Sequence, residues 1–448
     1  MKRFIFALAA ALAVWGGTAQ AQFTVPAIPT VEGPITGPGE MHPGIRPGPA
    51  GTNLEDFDYV AEEYFVSGTA AGAPYKTRIL IRKPRKAKDF SGFVVGEPTH
   101  RGGNALICQY ARFGIGKRGH GCMTVAARPI NLNNPATAGA GLKEFNAERY
   151  GSLSVSNAQA NEVIAQVGRL IQSNLRGGPM GDRYKVKHMI LSGTSDSSGA
   201  TRAYMAPAHA TFRMPDGGPI YDGFFVTSTL GNDIVAITDV PTIQMPSQSE
   251  VHGSSTWGWR RPDSDLHGNQ FRLYEVAGMS HNDARENPAF FDCTREPFRF
   301  PHGALTFMGL QHTLNWVAYG RLPPKAQRME TDDGTTDGTR VALDEFGNAK
   351  GGVRSTYLDV PVGTYTIPNS GPGLCSQTGY FTPFTDERLQ SLYRGRLDYL
   401  GKVLVRAAHL VAEGWFPIEY VGDYIIADAL ATDIPERPRL PHGDRHDD

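Results

Sequence analysis

The stretch Met189-Ile190-Leu191-Ser192-Gly193-Thr194-Ser195-Asp196-Ser197-Ser198-Gly199-Ala200 constrains the fold of this 448-residue chain more than any other. An apolar, strand-like run enters a small-x-Ser-x-small sequence, and a helix is predicted to follow from Ser198. A turn this tight tolerates only small residues two places before and two places after the central serine. Gly193 and Ser197 meet that requirement for Ser195. The turn lifts the Ser195 hydroxyl above the strand ends and aims the N-terminus of the next helix at it. The positive end of the helix dipole then favours negative charge developing nearby. A second register, Ser195-x-Ser197-x-Gly199, also fits. A plain alternative is a serine-rich helix cap following a strand.

A serine hydroxyl needs a base to become a nucleophile. The segment Phe271–Val276 reads as the last strand of a sheet, and Gly278-Met279-Ser280-His281 as its loop, which puts His281 where such a base belongs. The third member should be a carboxylate after an earlier strand. Residues 240–245 form that strand and Glu250 follows in Gln248-Ser249-Glu250-Val251-His252, where it would hold the His281 tautomer and stabilise its cation. Asp283, Asp239 and Asp263 compete for this role. Asp283 stands too close to His281 in sequence to reach back easily. Two N–H donors are needed for an oxyanion: the backbone of Asp196 is one, and Thr99 or a neighbour in Gly96-Glu97-Pro98-Thr99-His100 is the other, since Pro98 has no N–H. Glu97 and His100 are candidates for substrate contact.

The surrounding pattern is α/β. Strands are expected at 59–67, 75–81, 93–96, 122–127, 187–191, 221–226, 242–245 and 271–276, with helices at 154–175, 198–208 and 305–319, the last stopped by Gly320 and Pro323-Pro324. The first two strands are close enough to pair antiparallel. The later ones are separated by helices or long loops, as in a parallel sheet covered on both faces. Residues 22–56 read as an extended N-terminal arm and 57–434 as one domain. Within it, 325–375 is an extended or hairpin insertion over the sheet, and 385–431 is helical. The tail 435–448 is expected to fray. Residues 325–375 and 131–146 are candidates to shape a substrate pocket.

The first twenty-one residues read as a cleavable Sec-type signal peptide: Lys2 and Arg3, an apolar run from Phe4 to Val14, and the small-x-small site Ala19-Gln20-Ala21. Export to the periplasm or beyond follows, and no later segment is long and apolar enough to span a bilayer. In an oxidising compartment the four cysteines favour two disulfides. Three pairings are open, and Cys108–Cys122 with Cys293–Cys375 is the expected one. With 44 basic against 45 acidic residues there is no polybasic surface for nucleic acid. The 52 glycines and 32 prolines call for long, well-shaped loops.

Several segments in order resemble the exported α/β-hydrolase-domain proteins with a Gly-x-Ser-Gln-Thr/Ser-Gly elbow. Phe90-Ser91-Gly92-Phe93-Val94-Val95-Gly96-Glu97 is similar to that family's third strand. Glu148-Arg149-Tyr150-Gly151-Ser152-Leu153 matches its Arg-Tyr-Gly-Ser-Leu segment, and Arg272–Gly278 with His281 its histidine loop. Trp316-Val317 through Gly320 to Pro323-Pro324 matches its closing helix. Residues 379–384, Leu392-Tyr393 and Asp398-Tyr399-Leu400 are similar to its C-terminal part. The resemblance implies an α/β-hydrolase fold with an eight-stranded, mostly parallel sheet, helices on both faces and a C-terminal helical and β decoration. It also implies the residues Ser195, Glu250 and His281, in that chain order, and hydrolysis of a small-molecule ester. That chemistry needs no cofactor or metal, and the charge balance and apolar runs lead to no nucleic-acid partner and no membrane insertion being expected. Lactone, thioester or amide cleavage would use the same groups. The sequence departs from the pattern at Asp196, at Ser197-Ser198 and at Pro98-Thr99-His100. A carboxylate beside an oxyanion opposes charge build-up unless it is neutralised, with Arg202 as a candidate partner. It also keeps open a non-catalytic ligand-binding protein on a hydrolase scaffold.

Overall fold

The computed structural model describes residues 23–135, 139–229, 235–252, 260–286, 292–331 and 341–436. The leader-like residues 1–21 and nearly all of the tail 435–448 lie outside them.

A nine-stranded sheet organises the chain in the order β1-β2-β3-β5-β4-β6-β7-β8-β9. The strands are β1 Thr30–Glu32, β2 Tyr59–Ala70, β3 Ala73–Pro84, β4 Phe93–Pro98, β5 Gly121–Val125, β6 His188–Thr194, β7 Gly223–Thr227, β8 Thr242–Met245 and β9 Phe271–Leu273. The first four in spatial order pair antiparallel, and from β5 onward every pairing is parallel. Eight strands fall where the sequence places them. The ninth, β1, lies in the arm: three extended residues pair with Phe65–Ser67 on β2 and lengthen the antiparallel edge.

Strands buried on both faces explain the apolar runs. In β7 all five residues are buried, and its neighbours alternate by side. Phe224 meets Tyr204 and His209. The ring of Phe225 fills the space beside Gly309, on the opposite side, where an added Cβ would lie 2.7 Å away. Helices form two groups accordingly. His302–Tyr319 packs with Leu106–Tyr110 and Arg112–Arg118, while Ala160–Gln172 packs with the Tyr204–Ala208 turn that continues Asp196–Ala203.

Three expectations are corrected. The helix expected from 154 begins at Ala160, because Ser154 exchanges backbone hydrogen bonds with Lys76 (2.7 and 2.9 Å) and Ser156 caps the turn that follows. The helix expected over 198–208 starts at Asp196 and changes to a wider turn at Tyr204, with Pro207 inside it. Residues 332–340 of the expected insertion 325–375 lie outside the described residues; its described part meets the sheet edge after β9 rather than lying over the sheet. Val353 N donates to Glu275 O (2.7 Å) and Ala277 N to Val353 O (3.0 Å), just past β9. Beyond it, β10 Gly363–Thr366 and β11 Tyr380–Pro383 form a separate antiparallel pair, followed by the helices Asp386–Leu392 and Arg396–Ala412. The disulfides are Cys108–Cys122, from the helix Leu106–Tyr110 to β5, and Cys293–Cys375. Among the described residues no helix is long and apolar enough to cross a membrane.

Candidate active site

The central parallel strands end on one side of the sheet, and the loops there carry the candidate residues. β6 runs to Thr194, the chain reverses at Ser195, and the helix Asp196–Ala203 begins at the next residue. Ser195 has φ 55° and ψ −123°, a backbone region costly for a residue with a Cβ. The turn is close enough that a Cβ on Gly193 would stand 2.5 Å from the Ser197 carbonyl oxygen, so only glycine fits.

Ser195, at the turn after β6, Glu250, on the short helix Gln248–His252 that follows β8, and His281, on the loop after β9, come together. Ser195 Oγ lies 3.0 Å from His281 Nε2, and His281 Nδ1 lies 2.5 Å from Glu250 Oε1. The other Glu250 oxygen accepts the Ser247 N–H at 2.7 Å, which fixes the carboxylate's orientation. The His281 loop and the helix that carries Glu250 are stitched together. His281 N donates to Ser249 Oγ (3.0 Å), Gln248 N to Met279 O (2.9 Å) and Gly278 N to Gln248 Oε1 (2.7 Å). Gly278 makes this turn with φ 77°.

The competing residues are engaged elsewhere. Ser197 is buried beneath the turn, its Oγ 3.0 Å from Glu97 Oε1 and accepting the Thr194 N–H at 2.9 Å. Asp283 accepts the amides of Arg285 (2.6 Å) and Phe300 (2.7 Å), and burial pushes its carboxyl up to about 7. Asp239 pairs with His209 and Arg213, and Asp263 with Arg328.

Glu97 does not face the cleft. It is 1% exposed, and its two oxygens accept the amides of Leu106 and Ile107 at 3.0 Å each, at the start of the helix Leu106–Tyr110. Burial pushes its carboxyl up to about 8, against the lowering effect of the hydrogen bonds from Ser197 and these amides. The candidate substrate contact is therefore an internal anchor, shielded by the helix it caps.

Thr99 does not supply the expected oxyanion donor. Its N–H donates to Val125 O at 2.9 Å, continuing the β4–β5 ladder past Pro98, so it is not free for an oxyanion. The Thr99 carbonyl is held by Arg128 Nη2 (3.0 Å) and Asn131 Nδ2 (2.9 Å). His100 lies on the same loop. Its Nδ1 accepts the Gly102 N–H at 2.9 Å, and its charge interactions include Asp196 and His281.

Asp196 finds different partners from the one expected. Its carboxylate accepts Arg101 N (2.8 Å), Arg101 Nε (2.9 Å), Arg128 Nη1 (3.2 Å) and Arg128 Nη2 (2.5 Å), not Arg202. Partial burial alone would raise its pKa, but the Arg128 hydrogen bond and charge, with the Arg101 amide, outweigh it and hold the group well below the usual carboxylate range. Arg101 and Arg128 sit in loops with no regular spacing to Asp196, and no pattern in the sequence marks them. Among the described residues no group of three or more His, Cys, Asp or Glu could hold a metal ion.

A family model described as alpha/beta hydrolase domain matches residues 31–425. No curated protein matches the chain. Among solved structures, esterase Est22 shares 11% identity at a TM-score of 0.33, over 54% of this chain and 79% of its own. A cold-adapted esterase from an Arctic intertidal metagenomic library shares 10% at 0.26, over 42% and 71%. Both likenesses are too distant to carry weight.

Proposed function

Because the chain belongs to the alpha/beta hydrolase domain family, we propose that it is a serine-dependent hydrolase of carboxylic esters, with Ser195 as nucleophile, His281 as general base and Glu250 as the acid that orients it. The observation that carries this reading is the hydrogen-bond relay from Ser195 Oγ through the two ring nitrogens of His281 to Glu250, at 3.0 and 2.5 Å. His281 takes the hydroxyl proton as Ser195 Oγ adds to the ester carbonyl. The negative charge collects on the former carbonyl oxygen, in front of the Asp196 N–H, one of the amides at a helix start that lack an intrahelical acceptor. His281 then returns the proton to the leaving alkoxide. Water, activated by the same histidine, releases the acid from the acyl-enzyme. Glu250 stabilises the imidazolium in both halves.

The strongest reason to read the chain as a non-catalytic binding protein is Asp196. Its pairing with Arg101 and Arg128 removes most of that objection, because the charge beside the oxyanion is already compensated. The leader-like first residues and the two disulfides support export.

A panel of p-nitrophenyl esters of increasing acyl length, with matched thioester, lactone and anilide substrates, tests the reading. Turnover of one or more oxygen esters by the wild type, absent in Ser195→Ala, is expected. Equal turnover by the two proteins, or none by either, would sink it.

A further inference from the structure

We propose that the side chain of His100, through its Nε2–H, is the second donor to the oxyanion, where backbone N–H groups would ordinarily supply both. The inference rests on the reading of the site as a Ser195 hydrolase and goes beyond it by assigning a catalytic residue.

It starts from a count of donors. A tetrahedral oxyanion needs two, and one is the Asp196 amide. The loop after β4 should carry the other, but every amide along its first half is committed inside the chain. Thr99 N donates to Val125 O (2.9 Å), His100 N to Asn104 O (3.0 Å), Arg101 N to Asp196 Oδ2 (2.8 Å), Gly102 N to His100 Nδ1 (2.9 Å) and Gly103 N to His100 O (2.9 Å). Pro98 has none. The loop facing the nucleophile therefore offers no free backbone donor from 98 to 103.

The same contacts prepare a side-chain donor. A ring nitrogen that accepts an N–H carries no proton of its own, so the Gly102 contact puts the hydrogen of neutral His100 on Nε2. Burial holds the imidazole down to about 4. Asp196 opposes this, and His281, Arg128 and Arg101 reinforce it, so the ring is neutral near pH 7. A neutral donor also avoids placing a second cation against the imidazolium that forms on His281. The Asp196 clamp sets the His100 loop beside the nucleophile turn. Arg101 N and Nε both bind the carboxylate of the residue that follows Ser195, tying the peptide after His100 to the nucleophile turn. Arg128 holds Asp196 and the Thr99 carbonyl together, fixing the loop on the other side of His100. Nε2 itself has no hydrogen-bond partner among the described residues. The proposed step makes no bond to His100: as Ser195 Oγ adds, the carbonyl π pair moves onto oxygen, and Nε2–H donates to that oxygen until the intermediate collapses.

The test compares His100→Phe, which keeps a ring and removes the donor, with His100→Gln, which returns an N–H donor at similar reach. Melting temperature, kcat and KM on p-nitrophenyl acetate, and inhibition by phenylboronic acid, whose adduct with serine is a tetrahedral boronate with an oxygen where the oxyanion would form, are measured for both and for the wild type. His100→Phe should lower kcat by about 10²–10³-fold, the usual effect of losing one oxyanion donor, with KM within about threefold. Boronate affinity should fall with kcat, and His100→Gln should recover about tenfold or more of it. A folded His100→Phe with kcat within about threefold of wild type overturns the assignment. If His100→Phe does not fold, His100→Leu replaces it, and equal kcat for His100→Leu and His100→Gln overturns the assignment. Wild-type inactivity on every ester overturns the hydrolase reading and this proposal together, whereas an active, Ser195-dependent wild type indifferent to His100 overturns this proposal alone.

Discussion

Two carboxyl groups flank the nucleophile turn, one above and one below, and both are almost fully buried. Above it, Glu250 is 4% exposed and faces His281. Below it, Glu97 is 1% exposed and faces Ser197 and the amides of Leu106 and Ile107. Each accepts at least one backbone N–H, so burial and hydrogen bonding alone do not separate them. Their partners do. Glu250 sits beside His281, the base of the proposed reaction, where its charge would stabilise the imidazolium. Glu97 makes no ion pair among the described residues; burial pushes its carboxyl up to about 8, and it caps a helix and holds the residue two places after Ser195. On the proposed function, one acid would serve the chemistry and the other the turn that presents Ser195.

Glu250→Gln should break the upper side. Loss of the negative charge should lower kcat by up to about 10⁴-fold while the melting temperature hardly changes, checked by steady-state kinetics and thermal unfolding. Gly193→Ala attacks the turn that both sides share. Its Cβ would meet the Ser197 carbonyl, so unfolding free energy should fall by about 1–3 kcal/mol in a urea titration. Arg128→Met strips the strongest partner from Asp196 and leaves its charge beside the oxyanion. The pair is partly exposed, so a loss of about tenfold in kcat is expected, and adding Asp196→Asn to the same chain should restore most of it. Glu97→Gln should leave kcat within about threefold and act on stability instead. The unfolded carboxyl ionises near 4.5 and the folded one near 8, so between these values the folded chain holds a proton that the unfolded chain has released. Wild-type stability therefore loses ground from this group as pH rises from 4.5 to 8. Glutamine does not titrate, so Glu97→Gln should gain on the wild type between pH 5 and pH 8 in paired melting curves. A constant difference would contradict the neutral, structural role.

Much of this was legible beforehand, and the reasons are physical. Eight strands announce themselves through apolar runs, because both faces of the sheet are covered. Ser195, His281 and Glu250 each follow a strand, so chain order alone places them at the same edge. The failures share a different cause. β1 is three residues in an arm rich in proline and glycine, and it exists only because β2 offers an open edge. Thr99 looks like a free donor until β5 is seen alongside it. Arg101 and Arg128 reach Asp196 across loops, and no local pattern predicts a partner set by three-dimensional neighbourhood. Glu97, a candidate for substrate contact from the sequence, is covered by the helix that follows, which folds back over it.

The central claim is that Ser195 is an activated nucleophile and Ser197, two residues on, is not. Labelling the intact protein with a fluorophosphonate and mapping the modified peptide tests this directly. One adduct is expected, on Ser195, abolished in Ser195→Ala and greatly slowed in Glu250→Gln. An adduct on Ser197, or an unlabelled protein that still turns over esters, would contradict it.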